Sequence, residues 1–282
     1  MNIEKTWVAF CEDKRKRDNR RAGFHFSSSG YCVRAVVLKA MFPDYKEELE
    51  DNQVLTFEVG HIIHDALDKV MEWATTRYGS RYSLIKAFYM SAFADPESEH
   101  ELIRQGVGGI PDVILMDRDM KFRIIDFKTS NPWGYIMRVE DGKPSMTHSL
   151  QVGAYTAGLL SKHPDAQVCD PVVSYIPKGD SPDMRRAQFK MGEVHSYSAG
   201  DVEGLMQNAE DYWKVVYDAY AKTKEDGSLP PAISPEKWMC KYCDYFSGIR
   251  QCKKCKTIED VDLLINPEPE VEEETTTDVE VA

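Results

Sequence analysis

The chain has 282 residues, 42% of them apolar, enough for one sizeable core and at most a small appended module. No apolar run reaches the roughly 20 residues that a membrane-spanning helix needs, and the charged start lacks the apolar stretch of a secretion signal, so a soluble cytoplasmic protein is expected. The net charge of −12 excludes a uniformly basic surface, but seven acids and no base fall in Asn266–Ala282, which leaves −5 for the remainder.

The first basic run is Lys14, Arg15, Lys16 and Arg17, continued by Arg20 and Arg21, and it offers ammonium and guanidinium groups for phosphate contact. Cys32 follows in Ser27-Ser28-Ser29-Gly30-Tyr31-Cys32-Val33-Arg34. Over Val54–Trp73 the residues Leu55, Val59, Ile62, Ile63, Ala66, Leu67, Val70 and Met71 recur at helical spacing. That helix carries Gly60, His61 and His64, with Asp65 and Asp68 just beyond. An imidazole can supply a nitrogen ligand to a divalent ion, and a glycine one turn earlier lets a helix approach a sheet closely. Most helix histidines are surface or packing residues, and His61 is read so.

Strands are predicted over Tyr82–Phe93 and Glu99–Gln105. Gly108-Gly109-Ile110-Pro111-Asp112 then leads into two apolar runs, Val113–Met116 and Phe122–Ile125, parted by Asp117-Arg118-Asp119 and followed by Asp126-Phe127-Lys128. The pattern predicts a β-hairpin. Folded symmetrically about residue 119, it sets Asp112 opposite Asp126, and strand alternation turns Asp126 and Lys128 one way while Ile125 and Phe127 enter the core. Two carboxylates and a lysine suit metal-assisted phosphodiester hydrolysis, although Asp-x-Lys also occurs on many solvated strands.

Asn131–Thr147, rich in Gly and Pro, is predicted as a loop able to gate a cleft. Gln151 and Tyr155 are spaced i, i+4 on one helix face, where an amide and a phenol can hydrogen-bond a phosphate or fix a lysine. Later elements are strands over Pro171–Pro177 and Ala187–His195 and a helix over Asp201–Lys222. No P-loop is present, so ATP-driven unwinding would have to come from another chain.

Five of the seven cysteines, Cys32, Cys240, Cys243, Cys252 and Cys255, sit in suggestive places, while Cys11 and Cys169 look unpartnered. In a reducing compartment, Cys240-x-x-Cys243 followed by Cys252-x-x-Cys255 points to a metal or cluster site. Two assignments compete. The four C-terminal thiolates could hold tetrahedral Zn²⁺, or Cys32 could join three of them around a 4Fe–4S cluster.

As a set, Gly60-x-x-x-His64, Gly109-x-x-Asp112, Asp126-Phe127-Lys128-Thr129 and Gln151-x-x-x-Tyr155 resemble the nuclease motifs of the RecB branch of the PD-(D/E)XK superfamily. The resemblance covers most of residues 25–256. It implies a restriction-endonuclease-like α/β core, a mixed central sheet flanked by helices, with His64, Asp112, Asp126 and the main-chain carbonyl of Phe127 holding Mg²⁺ or Mn²⁺. Lys128 would orient or deprotonate the water, and Gln151 and Tyr155 would steady lysine and DNA. The Cys32 and Cys240–Cys243 regions resemble the iron–sulfur exonucleases of CRISPR adaptation and the AddB nuclease domain. That likeness favours a 4Fe–4S cluster on Cys32, Cys240, Cys243 and Cys252, with Cys255 as alternative to Cys252, since the last spacing is longer than in the family.

The expected layout is one nuclease domain over 1–265. It comprises an N-terminal arm (1–50), a catalytic core (51–222) and a Cys-rich segment (237–256) joining the terminal regions, and a disordered acidic tail (266–282) follows. The implied function is exonuclease action on single-stranded or frayed DNA in a bacterial, archaeal or phage-infected cell, with a helicase or recombination factor as a protein partner. Two other readings are a catalytically silent nucleic-acid-binding subunit and a zinc-ribbon interaction protein. The intact acid–lysine set argues against the first, and the second requires the four upstream elements to match by chance.

Overall fold

The computed structural model describes residues 7, 9–11, 23–45, 51–78, 82–186, 189, 193–233, 240, 243, 252 and 254–265. The basic run at 14–21 and the acidic tail at 266–282 lie outside them. No helix among the described residues is long and apolar enough to cross a membrane.

The hairpin is the centre of the larger sheet. Strands β5 (Val113–Asp117) and β6 (Lys121–Ser130) pair antiparallel with Val113 opposite Ile125 and Met116 opposite Phe122. The Asp117 side chain closes the turn, accepting hydrogen bonds from the Asp119 and Lys121 N–H groups at 2.9 Å each. β2 (Tyr82–Ile85) extends the sheet beyond β5, while β8 (Val172–Pro177) and β9 (His195–Ser198) extend it beyond β6. β8 runs parallel to β6, as does the short β7 (Gln167–Val168), so the sheet is mixed. A second sheet of three strands has the order β1 (Phe24–His25), β4 (Val107–Gly109), β3 (Met90–Ala92).

Both faces of the hairpin are covered. On one, α2 (Asp51–Tyr78) packs Ile63, Leu67 and Met71 against Val113, Leu115, Phe127 and Ile176. On the other, α5 (Met146–Lys162) and α7 (Val202–Asp226) close over Ile124 with Leu150, Ala154, Leu159, Ala209 and Trp213. The fully buried Trp213 satisfies its indole N–H on Ser29 Oγ at 3.0 Å. Ile125 and Phe127 thus enter a core as expected, but the opposite face, which carries Asp126, is buried too. Val59, Ile62 and Val70 belong to the apolar period of α2 yet lie on its outer side, 40–54% exposed.

Several sequence expectations change. Tyr82–Phe93 is two strands in two sheets, because β2 pairs with β5 while β3 pairs with β4. Glu99–Gln105 is not a strand: Glu101–Gln105 forms the short helix α3, ended by Gly106. Asn131–Thr147 is largely helical. Asn131 caps α4 (Pro132–Asp141), its Oδ1 accepting from the Gly134 N–H at 2.7 Å, and Pro132 occupies the first turn. Pro and Gly there are helix start and stop signals. The helix persists because Tyr135 and Ile136 bury against Val173, Tyr175 and Met184. Of the described residues within Ala187–His195 only His195 enters a strand, after the short helix α6 (Pro182–Arg186); 187, 188 and 190–192 lie outside the described residues.

Helices α1 (Val33–Met41) and α8 (Ile258–Ile265) meet through Leu38 and Val261. α5 lies close on α7, where a Cβ on Gly153 would stand 2.4 Å from the Leu205 main-chain oxygen. Backbone cannot give way as a flexible side chain can. We therefore expect Gly153→Ala to lower the unfolding free energy by at least about 1–3 kcal/mol in urea titration.

Candidate active site

The hairpin register brings the two acids together. Continuing one step past the Val113–Ile125 pair sets Asp112 opposite Asp126, as the symmetric hairpin required. Asp112 Oδ2 accepts a 2.7 Å hydrogen bond from the Phe127 N–H, which ties the start of one strand to the other. Asp126 is 1% exposed, and its Oδ2 lies 2.8 Å from Lys128 Nζ, one strand period further on. α2, anchored by Ile63 and Leu67, carries His64 in from the other face, its Nδ1 3.5 Å from Asp112 Oδ1. Gly60, one turn earlier, leaves room for side chains as well as for the sheet: a Cβ there would lie 3.0 Å from Lys178 Nζ and 3.2 Å from Thr129 Oγ1. From α5, the Gln151 amide donates to the Tyr155 hydroxyl at 3.2 Å.

Burial sets the electrostatics. It pushes the Asp126 carboxyl up to about 6, against the pull of Lys128. Burial also disfavours charge on Lys128, but attraction to Asp126 and Asp112 outweighs it and the ammonium is held above its ordinary value. His64 is likewise raised, chiefly by its contact with Asp112. Desolvation keeps the Tyr155 phenol firmly protonated. Asp68, on α2, is raised by burial and by the Asp112 charge, so the site extends one turn past His64.

The donor chemistry fits a hard divalent cation. Asp126 Oδ2 is a buried oxygen with no hydrogen bond of good geometry beside its ion contact, and carboxylate and imidazole suit Mg²⁺ or Mn²⁺. Such ions often use only one or two protein carboxylates and keep several waters. Among the described residues no three His, Cys, Asp or Glu side chains come together as a group that could hold a metal ion.

A profile of the PD-(D/E)XK nuclease superfamily matches residues 36–247, about three quarters of the chain. The chain belongs to this superfamily. No curated protein sequence matches it. Among solved structures it is similar to SSO0001 at 16% identity, with 87% of this chain and 95% of that one covered and a TM-score of 0.47. It is also similar to the alkaline exonuclease LHK-Exo from Laribacter hongkongensis at 13% identity, with 75% and 96% covered and a TM-score of 0.36.

Away from the acid–lysine pair, the cysteines sort by environment. None of the seven is in a disulfide. Cys32 holds the N-cap position of α1, and Cys255 is buried with Leu38 and Val261, flanked by Cys243 and Cys252. Burial pushes the Cys252 thiol up and the neighbouring Cys32 and Cys240 add to it, while Arg34 opposes. Cys255 is raised by burial and by Asp260. No local pattern marks Arg34, yet its buried guanidinium joins the terminal regions. It donates to the main-chain oxygens of Pro230 (2.6 Å), Cys252 and Cys255 (2.9 Å). A cluster-holding set of thiols is not formed among the described residues.

Two further residues went unnoticed in the sequence. His148 stands three residues before Gln151 on the same face of α5, and that spacing could have flagged it. Tyr175 lies beside Lys128 only because β8 pairs with β6 in that register, which no local pattern encodes. Burial, with the charges of Lys128 and Arg138, holds the His148 imidazole well below its ordinary 6.5. Below that pH the unfolded chain therefore binds a proton that the folded one refuses, so stability falls as pH falls. The slope approaches about 1.4 kcal/mol per pH unit. Asp126 and His64, both raised, act in the opposite sense, so the His148 part is read as a difference: on going from pH 7.5 to 5 in urea unfolding, His148→Gln should lose less stability, or gain more, than the wild type.

Proposed function

We propose that the chain is a Mg²⁺- or Mn²⁺-dependent deoxyribonuclease. The observation that carries this reading is the convergence of Asp112, Asp126 and Lys128 at one end of the hairpin, with His64 delivered from α2. His64, Asp112, Asp126 and the Phe127 carbonyl are the groups that would hold the cation. Bound there, the ion supplies charge neutralisation at the scissile phosphate and a more acidic water.

The protein's own groups do the rest. Lys128, kept cationic by the acids, is a donor: it orients the attacking water and meets the negative charge that builds on the phosphate. Attack forms a new P–O bond as the ester P–O bond breaks, with the leaving oxygen taking a proton. Burial raises Asp126 to about 6 even with Lys128 beside it, so its ionisation is coupled to whatever further positive charge the site holds. Tyr155 accepts from Gln151 and, kept protonated by burial, retains its own proton to donate.

Exonuclease action on single-stranded or frayed DNA is the finer reading, supported by the resemblance to iron–sulfur exonucleases. With no P-loop in the chain, a helicase or recombination partner would supply strand separation. A 4Fe–4S cluster on Cys32, Cys240, Cys243 and Cys252 would clasp the terminal regions, and the nearness of Cys32 and Cys240 to Cys252 supports Cys252 over Cys255 as fourth ligand. Cys255 then packs the apolar contact between α1 and α8. Zn²⁺ on the four C-terminal thiolates is the competing occupant.

End-labelled single- and double-stranded DNA incubated with protein and Mg²⁺ or Mn²⁺ tests the activity. We expect shortening from the ends, abolished by EDTA and slowed about 10²–10⁴-fold by Lys128→Ala. Equal cleavage by both proteins, or none by either, would remove the nuclease assignment. Anaerobic purification with iron and zinc analysis tests the thiols. Cys240→Ala should lose iron or fail to fold, whereas Cys255→Ala should keep iron with reduced stability. Stoichiometric zinc without iron would exclude the cluster.

A further inference from the structure

His148 is held by a short chain of hydrogen bonds that fixes where its proton lies. The Ser145 N–H donates to the Tyr175 hydroxyl oxygen at 3.2 Å. That oxygen makes a shorter contact, 2.7 Å, with His148 Nδ1. A phenol oxygen already accepting from a main-chain N–H turns its own proton to the nearest acceptor, so Tyr175 donates to Nδ1. The ring proton is left on Nε2, which makes no hydrogen bond among the described residues.

The surroundings suit an anion. His148, Gln151 and Tyr155 lie on one face of α5 at positions i, i+3 and i+7. Tyr175 is the direct neighbour of Lys128 in the β6–β8 ladder. The titratable groups acting on the imidazole are Lys128 from β6, Arg138 from α4 and Tyr175 from β8, two cations and a neutral phenol. Between two cations a third positive charge is disfavoured. A neutral N–H donor is not, and it matches an oxygen acceptor whose charge the cations already balance.

We infer that His148 is a further substrate-contacting residue of this site, its Nε2–H donating to a non-bridging phosphate oxygen of the DNA strand beside Lys128. Tyr175 and Ser145 are positioning residues that act through it. The assignment rests on the nuclease reading above and adds to it a neutral contact of fixed tautomer. Tyr175 matters here for the nitrogen it protects from protonation, since an imidazolium, with protons on both nitrogens, could neither accept from the phenol nor escape repulsion by Lys128.

The test uses the full chain and the cleavage assay with Mn²⁺ under single-turnover conditions. His148→Ala should cleave about 10–100-fold more slowly, the loss of one hydrogen bond to a charged group. His148→Gln, whose amide N–H reaches about as far as Nε2, should recover most of that loss. Tyr175→Phe should slow cleavage by itself and add nothing in the His148→Ala background. Long-range ¹⁵N–¹H spectra of the DNA-free protein should show the Nε2–H tautomer of His148 in the wild type and lose that uniform pattern in Tyr175→Phe.

Cleavage by His148→Ala at the wild-type rate would overturn this assignment alone, as would a proton on Nδ1 or full additivity of the two substitutions. Absence of cleavage by the wild type would overturn it together with the nuclease reading. Should His148→Ala fail to fold, His148→Gln, Tyr175→Phe and the spectra still decide. A Gln variant that folds but stays slow would then count against the contact.

Discussion

A buried carboxylate and a half-buried ammonium, neighbours on the central strand β6, are the pair around which the rest of the molecule is arranged. Asp126 is almost wholly shielded, and isolation of that kind disfavours its charge. Lys128 reduces the penalty from 2.8 Å away, and Asp112 faces both from the adjoining strand. Neither acid could be held this way on an exposed edge strand, where water would solvate each separately. Covering both sheet faces, with α2 on one and α5 and α7 on the other, creates the desolvation that makes the pair responsive to added positive charge.

The helices therefore serve the site through their packing. Ile63 and Leu67 fix the height of α2 and so place His64 against Asp112. Gly153 lets α5 settle onto the Leu205 backbone, which sets the distance from which Gln151, Tyr155 and His148 reach the sheet. Arg34 does comparable work at the far end, drawing the Cys252 and Cys255 main chain toward α1. Three carbonyl oxygens around one guanidinium form a clasp that places Cys32 near Cys252 without any disulfide.

The short-range parts of this arrangement were legible in the sequence. Alternating apolar runs about Asp117–Asp119 predict the hairpin, and its symmetry predicts that Asp112 meets Asp126, because register follows from turn length and strand period alone. The helical period over 54–73 predicts α2, and i, i+4 spacing pairs Gln151 with Tyr155. Where Gly and Pro were read only as breakers, α4 was missed, although Asn131-Pro132 is a good capping pair. The periodic positions Val59, Ile62 and Val70 show a related limit: spacing reveals an apolar stripe but not how wide a part of it the sheet will cover.

What the sequence determined by itself, then, is the set of local contacts: the acid pair, the lysine beside it, the amide–phenol pair and the kinship with PD-(D/E)XK nucleases that these motifs share. Tertiary structure alone decided which groups from distant segments join them. Tyr175 comes beside Lys128 through a parallel crossover, His148 acquires its tautomer from Tyr175, and Arg34 finds carbonyls some two hundred residues away. Those contacts depend on the pairing and packing of whole elements. Local spacing carries no record of them.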